Sequence, residues 1–99
     1  MAQSVIHQPR VAWDGARAFV RAAGGPHYDA FAARVASRLG TDLDGQLAET
    51  RRRIQTAYAE TGGDQQMVNI ELGRWRVRLE DLLRSRPESV DAVRELSAR

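Results

Sequence analysis

The chain contains no cysteine, so it can form neither a disulfide framework nor a thiolate metal site. A reducing compartment is thereby permitted, and the cytoplasm is the expected location. Long apolar runs are also missing: no segment approaches the roughly 20 apolar residues of a membrane helix. The opening stretch from Met1 to Arg10 lacks the apolar core of a signal peptide, so neither secretion nor membrane spanning is expected. Histidine is confined to His7 and His27, which are not at ligand spacing, and no cofactor or metal is expected. Lysine is absent. All 15 basic residues are arginine, and with 15 alanines beside them they point to GC-rich coding.

The arginines do not make a strongly positive chain, because the formal net charge is only +2. Charge is uneven, however. Residues 1–40 hold five arginines against two aspartates, residues 41–65 hold three against five acids, and residues 66–99 hold seven against six. Only the first part is plainly basic.

At 99 residues the chain fits one domain with a single modest core. Residues 1–10 lack periodicity and reach Pro9, which predicts a flexible N-terminal arm, leaving 11–99 as a single helical domain. Trp13, Ala16, Phe19, Val20 and Ala23 then fall on one side of a helix that Gly24-Gly25 should end. Pro26 suits the first turn of a second helix, whose stripe is Tyr28, Phe31, Ala32, Val35 and Leu39, with Gly40 as its stop. Thr41 is placed to cap a third helix, with Asp42 and Asp44 where the helix dipole favours negative charge. Its stripe is Leu43, Leu47, Ile54, Ala57 and Tyr58. After the break Gly62-Gly63-Asp64, with Asp64 as a cap, Val68, Leu72, Trp75, Leu79 and Leu82 repeat at heptad spacing. Pro87 opens a last short helix with Val90, Val93 and Leu96 inward.

The fourth segment carries a conflict. Val68, Ile70, Leu72 and then Trp75, Val77, Leu79 also alternate around Gly73-Arg74, as a tight β-hairpin would over residues 67–80. Helix is favoured because the apolar spacing continues through Leu82 and Leu83. As a helix it is apolar on two sides, since Ile70 and Val77 lie nearly opposite Val68 and Trp75. The expectation is an all-α bundle of four to five helices built on an antiparallel hairpin of residues 42–61 and 64–85. Its core should include Trp13, Phe19, Phe31, Val35, Leu39, Leu47, Ile54, Tyr58, Leu72, Trp75, Leu79 and Leu82.

Candidate sites are few. Arg51-Arg52-Arg53 supplies candidate phosphate contacts, but successive helical residues point about 100° apart, so the triplet should spread around its helix. Arg74, Arg76 and Arg78 flank Trp75, which is better placed as core than as a base-stacking platform. Asp42-Leu43-Asp44-Gly45 resembles a piece of a calcium loop, yet its glycine comes too early and the later ligands are missing. The serines occupy no nucleophile-elbow sequence, so no enzyme is expected.

One resemblance covers most of the chain. Ala12-Trp13-Asp14-Gly15-Ala16-Arg17, Tyr28 with Phe31 and Ala32, Leu47 with Thr50-Arg51, and Trp75 with Arg78-Leu79, Leu82-Leu83 and Pro87 carry it. With them the chain resembles a loosely defined group of small helical actinobacterial proteins sharing a W-x2-RL-x2-LL-x3-P pattern. Longer proteins that look similar carry an apolar stretch before the tryptophan. This chain has none, so the resemblance implies no membrane role, and it transfers no functional residues.

The function expected from these features is non-catalytic: a helical module that binds another protein or assembles with its own copies. Ile70, Arg74 and Val77 form the expected protein interface, because exposed apolar surface marks interaction sites. The rival is a nucleic-acid-binding regulator using arginine-rich helices.

Overall fold

Glycines mark the joints between the first four of five α-helices, and Pro87 follows the end of the fourth. The structure, a computed structural model, describes residues 2–63 and 65–98. Helix α1 spans Ala2–Ala23, α2 Tyr28–Leu39, α3 Thr41–Thr61, α4 Gln65–Ser85 and α5 Val90–Ser97, with a 3-10 turn at Pro87–Ser89 before the last. No strand occurs among the described residues. Residues 67–80 are one continuous helix, and Gly73 lies inside it instead of making a turn. The heptad spacing therefore prevails over the alternating one. The fold is all-α and compact.

Two joints show how glycine does this. Gly40, at φ +107°, is at once the C-cap of α2 and the N-cap of α3, so the chain reverses through a single residue in a conformation that L side chains rarely adopt. Thr41 is consequently the first residue of α3 and not its cap. At the other end of α3, Gly62 is left-handed at φ +74° and donates its N–H to the Tyr58 carbonyl at 2.7 Å. The expected cap Asp64 lies outside the described residues. Pro26 sits in the turn before α2, which starts at Tyr28 with Asp29 in its first turn.

The first helix departs from expectation. It begins at Ala2 and passes through Pro9, where a flexible arm of residues 1–10 is predicted. The reason is propagation: once the turns from Val11 onward are fixed by packing, extending a helix backward fixes fewer dihedrals per hydrogen bond than starting one. Pro9 removes one such bond without forbidding helical φ.

Helix α1 packs most extensively on α4, then on α5, while α2 lies against α3 and α3 meets α4 along a narrower seam. Gly15 permits a close approach of Leu79 and Val93 to α1, since a Cβ there would come within 2.8 Å of Leu79 and 2.9 Å of Val93. Phe19 is the centre of the aromatic core, 4.9 Å from the Trp75 ring and 5.2 Å edge-on from Phe31. Val35, Leu39, Leu47, Leu79, Leu83, Val93 and Leu96 belong to the same buried cluster, against which Phe31, Ile54, Leu72 and Leu82 are partly buried. Two expected core residues are not in it: Trp13 is 40% exposed and Tyr58 66%. Trp13 lies on the side of α1 turned from α4, and Tyr58 falls in the last turns of α3, beyond the reach of the core.

Candidate interaction surface on the fourth helix

Helix α4 has an inner side built around charge. Glu71 is fully buried, and so are Thr50 on α3 and Trp75 one turn on. The Trp75 indole N–H donates to Thr50 Oγ1 at 2.7 Å, and the Thr50 hydroxyl donates to Glu71 Oε1 at 2.6 Å. Arg74 donates to Glu71 Oε2 at 2.8 Å, while Arg53 Nη1 stands 3.6 Å from Oε1. Each carboxylate oxygen is thus held, and the seam between α3 and α4 is locked in one register. Arg78 lies over the Trp75 ring, 5.0 Å from its centroid. Burial pulls its guanidinium below the ordinary arginine value; Glu71 opposes that shift, and Arg53 and Arg74 add to it.

The outer side is built oppositely. Ile70 is 41% exposed and Val77 49%, and both lie with Arg74 on one face of the helix. Between them Gly73 is exposed, and a Cβ there would meet nothing within 4 Å. The helix backbone is therefore bare at the middle of an apolar patch about 10 Å long, measured as seven residues of helical rise. Arg74 borders the patch with its head turned to Glu71. These three expected interface residues are brought together on one surface.

The arginine triplet is dispersed. Arg51 donates to the carbonyls of Ala23 at 2.9 Å and Gly25 at 3.2 Å and stacks over Tyr28 at 4.6 Å, pinning the end of α1 to α3. Arg52 pairs with Glu49 and Arg53 faces Glu71. Burial, reinforced by Asp44, raises the Tyr28 hydroxyl above its ordinary pKa, with Arg51 opposing.

Sequence reasoning missed the Glu71–Thr50 network. Its signal was present: Thr50 fills the gap between Leu47 and Ile54 in the α3 stripe, and Glu71 precedes Trp75 by one turn, so two polar residues occupy core positions on adjoining helices. Among the described residues no three His, Asp or Glu side chains gather as metal ligands, and no helix is long and apolar enough to cross a membrane. Compared with protein families, with curated proteins and with solved structures, the chain shows no match.

Proposed function

We propose that the protein is a non-catalytic helical interaction module of the cytoplasm that associates with a second copy of itself through the outer face of α4. In this reading α3 and α4 are the antiparallel hairpin of the bundle, and α1 clamps the inner side of α4. The single observation that carries it is the exposed face Ile70, Gly73, Val77 on a helix whose other side is fully engaged. An antiparallel copy with its two-fold axis between Gly73 and Arg74 sets Ile70 of each chain against Val77 of the other. Both glycines then fall at the crossing, where a missing Cβ lets helix backbones approach. Such an isologous contact uses one patch twice, which a symmetric dimer requires. Arg74 supplies orientation at the rim.

The test is mass-resolved chromatography of the wild type beside Ile70→Asp/Val77→Asp. The wild type should elute as a dimer and the variant as a folded monomer with an unchanged circular dichroism spectrum. A monomeric wild type, or a variant that stays dimeric, contradicts the reading. Nucleic-acid contact through Arg51, Arg52 and Arg53 has less support, because each guanidinium already faces a partner within the chain.

A further inference from the structure

A groove of about 510 Å³ runs between α1 and α5, away from the α4 face. Arg10, Arg17 and Arg21 line one wall at helical spacings of seven and four, Arg94 comes from α5, and Asp14 is the acidic side chain among the lining residues. Val11 and Ala18 form its apolar floor. Among the described residues none of these four guanidiniums has a hydrogen bond or ion pair, whereas Arg34, Arg38, Arg52, Arg53, Arg74 and Arg84 all face carboxylates. Arg76, Arg78 and Arg86 also pair with no carboxylate among the described residues, but they do not line this groove; what sets it apart is four unpaired guanidiniums gathered along one concave strip, where their charge acts together.

The exposed Trp13 stands outside the groove lining, beside its arginine wall. On the wheel of α1, Trp13 stands about 40° from Arg17 and about 60° from Arg10, on the flank opposite the groove floor. A large aromatic ring beside a ridge of arginines spaced over three helical turns fits a chain that carries both charge and flat bases. Phosphates would run along the ridge, paired by guanidinium forks, while a base stacks on the indole. A carboxylate-rich peptide would use the arginines but give Trp13 no comparable partner.

We propose that the α1–α5 groove binds single-stranded nucleic acid, with Arg10, Arg17, Arg21 and Arg94 on the phosphates and Trp13 as stacking platform. The probe is a fluorescein-labelled oligo-dT followed by anisotropy on the full chain. Four phosphate contacts on a single strand give a log–log salt slope of about −3, so raising salt from 50 to 200 mM weakens binding roughly 50-fold. Arg17→Gln/Arg21→Gln should weaken binding and flatten the slope by about 1.4. Trp13→Ala should weaken it about tenfold at unchanged slope, the signature of lost stacking without lost charge. All of these side chains are exposed, and thermal melts confirm that the variants fold. Ile70→Asp/Val77→Asp leaves the affinity as it was, which separates this site from the association surface. The proposal is overturned if oligo-dT does not bind at 50 mM salt, if the arginine variant binds like wild type, or if polyglutamate or anionic vesicles compete as well as unlabelled oligo-dT.

Discussion

Helix α4 buries a carboxylate on one side and exposes two aliphatic side chains on the other. Hydrophobicity alone would have turned it round. Glu71 can be buried because Thr50 and two arginines meet both of its oxygens, and removing any of them leaves charge without an answer in a dry place. Ile70 and Val77 stay exposed because α1 and α3 both pack on the inner side, leaving none of the described elements to cover the outer one. The inner side therefore fixes the fold, and the outer side is free to serve an interaction.

Substitutions separate the two sides, beginning with the largest effect. Glu71→Ala should cost roughly 2–3 kcal/mol in denaturant unfolding, because Thr50 loses its buried acceptor and a cavity is left, while the half-exposed Arg74 and Arg53 that lose their counter-charge are still reached by water. A loss below about 1 kcal/mol would mean that the network contributes little. Gly15→Ala should cost about 1–3 kcal/mol by overpacking, since its methyl group must displace Leu79 and Val93 where α1 crosses α4 and α5. Gly73→Ala runs the other way. With open space around it, the substitution should raise monomer stability by up to about 1 kcal/mol through helix propensity alone, yet weaken association by holding the paired helices apart. Stability and association rising together would break the proposed division of labour.

The smallest effect is pH-dependent and belongs to the α2–α3 contact. The Tyr28 hydroxyl has a raised pKa in the folded chain, so the unfolded chain releases that proton first. The Tyr28 contribution to stability is fully present below pH 10.0 and is lost as pH rises from there through the raised folded value, and Tyr28→Phe should remove this part of the alkaline loss.

Much of the fold was legible in the sequence because apolar spacing and glycine punctuation are local signals. Gly24-Gly25, Gly40 and Gly62-Gly63 stand at helix ends, and the heptad from Val68 to Leu82 runs inside a helix. Where burial depends on which helices meet, the sequence is silent. Trp13 and Tyr58 fit their stripes, yet no neighbour reaches far enough to cover them. Pro9 and the lack of periodicity before Val11 concealed a helix that is extended from a packed segment and not by its own pattern. The candidate surface follows the same division. Ile70 and Val77 could be paired from spacing alone, whereas the groove unites Arg94 with Arg10, Arg17 and Arg21 across 73 to 84 residues of chain, a juxtaposition only packing creates.

Self-association through the outer face of α4 is tested most directly by cross-linking, which the cysteine-free chain allows without background. Ile70→Cys and Val77→Cys are prepared as separate proteins, mixed, and treated with a short thiol cross-linker. The antiparallel pairing predicts a covalent product joining one variant to the other, with much less from either variant alone. Equal yields from all three samples, or no product at all, would contradict it.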